Sequence, residues 1–149
     1  LLQQAEDQLS KWNSIHGLST IYLNKGYIYL LSGEFDEAAK CFHHSLDIIS
    51  SELVNLKTFI NAHLNLGYIE LEKGNLILAE QHLAFAVEKS SMSGSLAFLL
   101  DSQVLKANLR IKKGFKEKGF NMIQKISREA RELEIKFLQD KTRRRLEQI

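Results

Sequence analysis

The same eleven-residue pattern occurs twice in this chain. Residues 23–33 read Leu-Asn-Lys-Gly-Tyr-Ile-Tyr-Leu-Leu-Ser-Gly, and residues 64–74 read Leu-Asn-Leu-Gly-Tyr-Ile-Glu-Leu-Glu-Lys-Gly. Seven of the eleven positions are identical at a constant offset of 41 residues. A weaker third copy follows at an offset of 40, with the matching residues Val104, Ala107, Leu109, Ile111 and Gly114. Self-similarity at a fixed period of about 20–50 residues indicates a repeat architecture.

Each copy places a small residue seven positions before a glycine. The upstream residues are Gly26, Gly67 and Ala107, and the downstream residues are Gly33, Gly74 and Gly114. Glycine costs about 1 kcal/mol relative to alanine inside a helix, so we expect the upstream residue to let a neighbouring helix pack closely. The downstream glycine is typical of a helix end, where the backbone becomes left-handed. A second helix follows it, so each copy is predicted to be a helix hairpin that packs against the next.

Aromatic and small residues occupy regular places in the first copy, namely Tyr22, Gly26, Tyr29, Gly33, Phe35, Ala38 and Phe42. This pattern resembles the tetratricopeptide repeat, although Lys25 and Ser45 depart from it. The second copy keeps Leu66, Gly67, Gly74, Ala79 and Ala86 but has Glu70 and Leu76 at aromatic places. The third copy keeps Gly114 and has Gly119 where alanine is usual. The resemblance therefore weakens from the first copy to the third.

The resemblance implies an all-α fold, a right-handed superhelical array of antiparallel helix hairpins (a tetratricopeptide-like α-solenoid). Tetratricopeptide repeats recur about every 34 residues, whereas the period here is 40–41. Such long repeats are similar to those of kinesin light chains and of sensory regions in bacterial transcription regulators. We expect the extra residues to extend the helices around the joint between hairpins, near residues 47–59.

The periodicity predicts a single repeat domain over residues 1–149. Its predicted parts are the second helix of a truncated repeat (1–16), repeat 1 (18–50), repeat 2 (52–91), repeat 3 (95–133) and a C-terminal capping helix (134–149). The first part has Leu2, Ala5, Leu9 and Trp12 at helical spacing and is expected to end at Gly17. The last part has Ile135, Leu138 and Leu146 on a charged background. Because the chain begins with leucine inside a helical pattern, we expect it to be a fragment of a longer protein.

Composition narrows the functional classes. Hydrophobic residues make up 44% of the chain and charged residues 26%, which is typical of a globular protein. No apolar run approaches the roughly 18 residues of a membrane span, so no membrane association is expected. The single cysteine, Cys41, cannot form an intrachain disulfide, which is compatible with a reducing compartment. The expected location is the cytoplasm. The chain has no glycine-rich phosphate loop, serine-centred elbow or paired-carboxylate motif, so neither an enzyme nor a cofactor is expected.

The family resemblance implies a binding groove lined by the first helix of each hairpin. Transferred onto this sequence, the groove residues are Leu23, Asn24, Tyr27, Leu64, Asn65, Tyr68, Val104, Leu105 and Asn108. Asn24 and Asn65 are the strongest candidates, because an asparagine amide can bond both the donor and the acceptor of a peptide backbone. In the alternative interpretation, the asparagines bond helix carbonyls or water and the tyrosines belong to the core. The repeat-packing residues are Gly26, Gly33, Ala38, Phe42, Gly67, Gly74, Ala79, Ala86, Ala107 and Gly114.

Charge is distributed unevenly along the chain. Residues 1–100 contain six lysines and no arginine against eleven acidic residues, and the remaining residues contain fourteen basic against seven acidic ones. The basic end comprises Lys112, Lys113, Lys116, Lys118, Lys141, Arg143, Arg144 and Arg145. It could contact phosphates or an acidic partner, but interleaved glutamates are typical of solvated helix faces. Nucleic acid is therefore not the expected partner.

Two further residue groups have simple structural interpretations. His43 and Asp47 share a helical face, but no third ligand is evident nearby, so no metal site is expected. Cys41 lies beside Phe42 and is predicted to be a buried small hydrophobic residue.

We therefore predict a scaffold module that binds a protein or a peptide. One alternative is a ligand-sensing regulatory domain of a bacterial transcription or signalling protein. Another is a self-association module, a homo-oligomer in which Leu30, Leu71 and the terminal hairpins pack against a second copy. The carboxylate clamp of chaperone-binding relatives needs a lysine and an asparagine where this chain has Leu23 and Tyr27. The resemblance therefore does not imply binding of acidic C-terminal chaperone tails.

Overall fold

The described residues, 2–50 and 55–146 of a computed structural model, form helices joined by short turns. The helices are α1 (Leu2–Leu31), α2 (Phe35–Ser50), α3 (Leu56–Glu72), α4 (Leu76–Ser93), α5 (Leu96–Lys112) and α6 (Lys116–Leu146). No strand occurs in these two ranges. Successive helices pack as the hairpins α1–α2, α3–α4 and α5–α6, and neighbouring hairpins pack side by side. The prediction of an all-α, tetratricopeptide-like array is confirmed.

A glycine in a left-handed conformation ends the first helix of every hairpin. Gly33, Gly74 and Gly114 have φ angles of 77°, 81° and 95°. The residue after each glycine donates its backbone N–H to a carbonyl five positions earlier, as in Glu34 to Tyr29 at 2.9 Å. This bond satisfies a helix-end carbonyl that would otherwise have no partner. The equivalent bonds join Asn75 to Glu70 and Phe115 to Arg110.

Two apolar clusters hold the hairpins together. The first joins α2 to α3 through Ala38, Phe42, Ala62, Leu66 and Ile69. The second lies between α3, α4 and α5 and contains Ile60, Leu64, Leu71, Ala79, Leu83, Ala86, Leu105 and Leu109. We call the packing of α2 on α3 the first joint and the packing of α4 on α5 the second joint. Since burial of apolar area is the main stabilising contribution, each hairpin depends on its neighbour.

The helix boundaries predicted at the two ends of the chain are wrong. Gly17 does not end a helix, because α1 continues from Leu2 to Leu31 without interruption. Gly17 is absent from the glycines with positive φ, and a helical glycine carries only a small cost. Residues 134–146 likewise continue α6 rather than forming a separate helix. No glycine or proline lies between Gly119 and the end of α6 to interrupt it.

Two other expectations also need correction. The first helix of repeat 2 was expected from residue 52, but α3 begins at Leu56, where the Asn55 side chain accepts a hydrogen bond from the backbone N–H of Thr58. Leu71 is 2% exposed and Leu30 packs partly buried against the first cluster. Neither leucine is therefore available as the centre of a self-association surface.

Some residues named in the predictions lie outside the described part of the chain. These are residues 51–54 and 147–149 and the side chains of Leu2, Leu9, Trp12, Ile135, Leu138 and Leu146.

Candidate functional site: a cleft between the first helices

A cleft of about 340 Å³ lies on the face formed by the first helix of each hairpin. Its lining comes from three helices, α1, α3 and α5. The lining residues are Leu23, Asn24, Tyr27, Asn61, Leu64, Asn65, Tyr68 and Asp101. Six of these were predicted as groove residues from the 41-residue offset. They come together because equivalent positions of neighbouring first helices lie side by side in a repeat array.

The two predicted asparagines differ in their surroundings. Asn24 is exposed on α1, whereas Asn65 is half-buried on α3. The Asn65 amide donates a hydrogen bond to the backbone carbonyl of Asn61 at 2.9 Å. This is the helix-carbonyl bond of the alternative interpretation. An amide carries two N–H donors and a carbonyl acceptor, so one such bond leaves Asn65 with capacity for a ligand.

The two tyrosines also differ. Tyr27 is 51% exposed at the edge of the cleft. Tyr68 is half-buried and packs against the second cluster. Burial raises the pKa of the Tyr68 hydroxyl, and the Asn108 hydrogen bond opposes this change. Tyr27 therefore offers aromatic area to a ligand, while Tyr68 is partly committed to the core.

Asp101 and Asn61 line the cleft but were not predicted. Asp101 is the only charged residue among the cleft's described lining residues, and partial desolvation raises the pKa of its carboxyl group. Asn61 lies one helical turn before Asn65 on α3. Asn61 and Asp101 occupy the same repeat position, forty residues apart. The forty-residue offset could have indicated them, because they precede the predicted pair Leu64 and Val104 by three residues each.

The third repeat contributes less to this cleft than the offset predicts. Leu105 is fully buried, so its assignment as a groove residue is wrong. Its side chain fills the space above Gly67, where a Cβ atom would lie 2.6 Å from Leu105 Cδ2. An apolar residue at this position turns into the core, whereas the equivalent Asn65 remains at the cleft. Val104 and Asn108 are half-buried and lie outside the cleft lining.

The small residues inside the helices make room for specific partners. A Cβ atom on Gly26 would lie 2.7 Å from Phe42 Cε1, which is closer than real carbon atoms approach. Gly119 lies against α5, where an added Cβ atom would lie 2.9 Å from the Ala107 carbonyl oxygen and also contact Ile111 Cγ1. Ala38, Ala79, Ala86 and Ala107 are all fully buried. These positions therefore accept no larger side chain without movement of a helix.

A cluster of three histidines joins α2, α3 and α4 away from the cleft. The Nδ1 atoms of His63 and His82 are 2.9 Å apart, and the His43 and His82 rings are 6.3 Å apart. One Nδ1 must donate a proton and the other must accept it, so at least the accepting ring is neutral when this bond forms. Burial, followed by repulsion from His82 and His43, lowers the pKa of His63 to about 4. Burial and repulsion from His43 also lower the pKa of His82.

The other predicted features have plain positions in the structure. Cys41 is buried at 7% exposure, as expected for a small hydrophobic residue. Among the side chains that the structure describes, no three of the His, Cys, Asp and Glu residues converge on a common metal position. Of the basic end, Lys112, Lys113, Lys116 and Lys118 are exposed near the α5–α6 turn. The side chains of Lys141, Arg143, Arg144 and Arg145 lie outside the described part.

Comparison with known proteins agrees with this architecture. The family model for the tetratricopeptide repeat matches residues 19–51, which span the second half of α1 and all of α2. One tetratricopeptide repeat is therefore recognised in the chain, at residues 19–51. No curated protein and no solved structure matches it significantly. In the described helices, none has the combination of length and apolarity that crossing a bilayer requires. Tetratricopeptide repeats generally mediate protein–protein interactions.

Proposed function

We propose that this tetratricopeptide-repeat chain is a protein-interaction module whose cleft between α1, α3 and α5 binds an extended peptide segment. The observation that carries the proposal is that six residues, three from each of the first two repeat copies and at matching repeat positions, line one cleft of about 340 Å³. The cleft size lies at the lower end of the range of small-ligand sites, about 300–1,000 Å³. Its lining combines amide groups, tyrosines and leucines rather than a nucleophile with a general base, so binding fits it better than chemistry.

Amide and aromatic side chains suit a peptide backbone. Asn24 and Asn65 lie at equivalent places on neighbouring first helices, so their amides can bond successive peptide groups of one extended chain. Tyr27 adds an exposed aromatic face with a polar end, and Leu23 and Leu64 form apolar parts of the lining. The ligand would thus be held by backbone hydrogen bonds and by one or two apolar side chains.

Asp101 gives the cleft a preference in charge. Its carboxylate is not opposed by any cation among the described lining residues. A peptide that carries lysine or arginine near this point would neutralise the carboxylate, whereas an acidic peptide would be repelled. Acidification should weaken this attraction, because the carboxylate becomes protonated as the pH falls through its raised pKa.

The test is a binding measurement on an array of ten-residue peptides that differ in net charge. We expect the chain to retain peptides with one or two basic residues and an aromatic or aliphatic residue. Asn24→Ala combined with Asn65→Ala should weaken retained peptides by about 5- to 100-fold, since each net hydrogen bond contributes about 0.5–1.5 kcal/mol. Circular dichroism should show unchanged helicity.

The matched control is Asn13→Ala combined with Asn121→Ala, which removes two exposed asparagines outside the cleft. Equal weakening by the two double variants would refute the cleft as the binding site. Asp101→Asn should reduce binding of the basic peptides while leaving neutral ones unchanged. Unchanged affinity for the basic peptides in Asn24→Ala with Asn65→Ala would also count against the proposal.

A further inference from the structure

A second cavity, of about 410 Å³, lies between α4, α5 and the beginning of α6. Four cationic side chains line it: Lys106, Arg110, Lys113 and Lys118. The only carboxylate in its described lining is Glu80, which pairs with Lys113 at 2.5 Å. Four cations against one carboxylate leave three positive charges unbalanced. The charge of this basic cavity is therefore opposite to that of the cleft, which contains Asp101.

The basic cavity exists because two large apolar residues of the first joint are replaced in the second. Phe42 and Leu66 are both fully buried where α2 packs on α3. The equivalent positions in the second joint are Leu83, forty-one residues after Phe42, and Lys106, forty residues after Leu66. Leu83 is smaller than a phenylalanine, and Lys106 is exposed. The second joint thus has an open space where the first has a closed core.

Packing at Gly67 explains why this space stays open. In the first hairpin, the room left by Gly26 is filled by the Phe42 ring of the same hairpin. In the second hairpin, the room left by Gly67 is filled by Leu105 from the next hairpin. The side chain at position 83 therefore does not have to fill the room beside Gly67, as Phe42 fills the room beside Gly26. The smaller Leu83 is sufficient at this position. The helices remain packed while the basic cavity opens at the surface of the joint.

The cations form a row rather than a ring. Lys106, Arg110 and Lys113 are spaced by four and three residues, so the first two lie on one face of α5 and the third follows at its C-terminal end. Seven residues correspond to a rise of about 10.5 Å along a helix. A single compact anion would contact both ends only if the long side chains converged on it. An extended chain can meet cations along the row without such convergence, because alternate side chains on one face of a strand are about 6.6–6.8 Å apart.

The basic cavity also has an apolar part. Leu83 and Leu109 are nearly buried in it, and Phe115 is 55% exposed at its edge. The Lys118 ammonium lies 5.8 Å from the centre of the Phe115 ring, which is within the range of a cation–π contact. Apolar contact beside a row of cations fits a segment in which acidic residues flank a leucine or another apolar residue.

We propose that this cavity is a second docking site, which takes an extended acidic segment of a partner protein with an apolar residue between its carboxylates. The carboxylates pair with Lys106, Arg110 and Lys118, and the apolar side chain contacts Leu83 and Leu109. The site lies on the joint between hairpins rather than on the cleft face. It therefore does not depend on the peptide binding proposed for the cleft.

The test uses a fluorescein-labelled peptide of nine residues with two glutamates on each side of a central leucine and serines elsewhere. Its control peptide has glutamine in place of every glutamate. Fluorescence anisotropy at low salt should show saturable binding of the acidic peptide and at least about tenfold weaker binding of the glutamine peptide. Sodium chloride at about 0.5 M should weaken the acidic peptide strongly, because the attraction is screened.

Matched charge reversals locate the site. Lys106→Glu with Arg110→Glu should weaken the acidic peptide at least about tenfold. Lys112→Glu with Lys116→Glu makes the same change in net charge at exposed cations outside the cavity lining, and should change affinity less than about threefold. Equal effects of the two double variants would overturn the proposal in favour of nonspecific charge attraction. Inorganic phosphate or a single-stranded oligonucleotide that binds more tightly than the peptide, with the same dependence on Lys106 and Arg110, would overturn it as well.

A packing variant provides a test that keeps the fold intact. Leu83→Phe combined with Lys106→Leu gives the second joint the two residues of the first joint. This variant should melt at a temperature no lower than the parent chain, yet lose binding of the acidic peptide. Retained affinity in a folded variant of this kind would refute the basic cavity as the site. Asn24→Ala with Asn65→Ala should leave the acidic peptide's affinity unchanged, which separates this proposal from the cleft.

Discussion

The two joints of this array pair equivalent helices, α2 with α3 and α4 with α5, and differ in chemistry. In the first joint, Phe42, Leu66 and Ile69 are fully buried in one apolar cluster. In the second joint, the equivalent residues are Leu83, Lys106 and Leu109, and the basic cavity opens beside them. A helix hairpin can thus be repeated while two substitutions convert part of a closed core into a charged surface. The docking site that we propose therefore lies at a joint, whereas the proposed peptide-binding site lies in the cleft.

The shared features of the joints explain why the array tolerates this difference. Lys73 pairs with Asp36 across the first joint, and Lys113 pairs with Glu80 across the second, each at 2.5 Å. Both lysines cap the first helix of a hairpin and reach the second helix of the preceding one. Exposed ion pairs contribute little free energy, about 0–1 kcal/mol. The two ion pairs occupy equivalent places at the two joints. The apolar residues provide most of the stability of each joint.

Truncation of the aromatic residue in the first joint should have the largest effect. Phe42→Ala should lower the free energy of unfolding by about 3–5 kcal/mol, because it leaves a large cavity in a closed cluster. Leu83→Ala, at the equivalent place beside the basic cavity, should cost only about 2 kcal/mol. Urea denaturation followed by circular dichroism measures both. Phe42→Leu should cost less than either alanine variant, about 1–2 kcal/mol relative to the parent chain. Equal costs for the two alanine variants would show that the joints are packed alike.

Acidification should lower the free energy of unfolding through the histidine cluster. An exposed histidine with an unchanged pKa would make no such contribution. The pKa of His63 is lowered to about 4 in the folded chain, against 6.5 in the unfolded chain. The unfolded chain therefore binds more protons between these values, and stability falls as the pH decreases from about 7 toward 4. We expect a loss of about 1–2 kcal/mol between pH 7.5 and 5, because partial exposure of His63 reduces the effect.

His63→Phe separates this contribution from that of other groups. Phe59 and Phe85 already lie 4.4 and 5.0 Å from the His63 ring, so a phenylalanine fits an aromatic environment. Melting temperatures of this variant should depend less on pH between 7.5 and 5 than those of the parent chain. His44→Gln, which removes an exposed histidine outside the cluster, is the control and should keep the parental dependence. The same pH dependence in His63→Phe would show that the cluster does not affect stability.

Glycine substitutions should have the smallest effects and opposite signs. Gly119→Ala should cost about 1–2 kcal/mol, because its Cβ atom would lie 2.9 Å from the Ala107 carbonyl oxygen. Gly17→Ala should instead increase stability by about 0.5–1 kcal/mol, since nothing lies within 4 Å of an added Cβ atom in the middle of α1. Thermal denaturation of both variants tests the comparison. Stabilisation by Gly119→Ala would mean that α5 and α6 are not in close contact.

Much of the fold follows from local patterns that are visible in the sequence. The glycine at the end of each first helix requires a left-handed backbone, and the 41-residue offset places the hairpins in register. The errors arose where a residue has more than one structural role. Gly17 resembles a helix end because glycine is common there, yet a helix interior also accepts it at a small cost. Residues 134–146 contain no interrupting residue, so only the continuous geometry of α6 shows that they belong to it.

The candidate sites were harder to predict from the residues. The cleft could be outlined from Asn24 and Asn65, because equivalent positions of a repeat lie side by side. Leu105 shares that position, but as an apolar residue it turns toward Gly67 and becomes fully buried. The basic end was recognised as a run of lysines, without any indication that Lys106 and Arg110 share a cavity with Leu83. That arrangement depends on residues from three helices.

The sequence by itself determined the class of structure: paired helices with small residues at their crossing points and a glycine at each turn. These features are local, because a helix end or a helix crossing depends on the conformation and size of a few neighbouring residues. Only the tertiary structure decided which equivalent positions face a core, a cleft or a charged cavity. That choice depends on how side chains from three helices fill a shared space, and the two joints differ there at two positions, with Leu83 in place of Phe42 and Lys106 in place of Leu66.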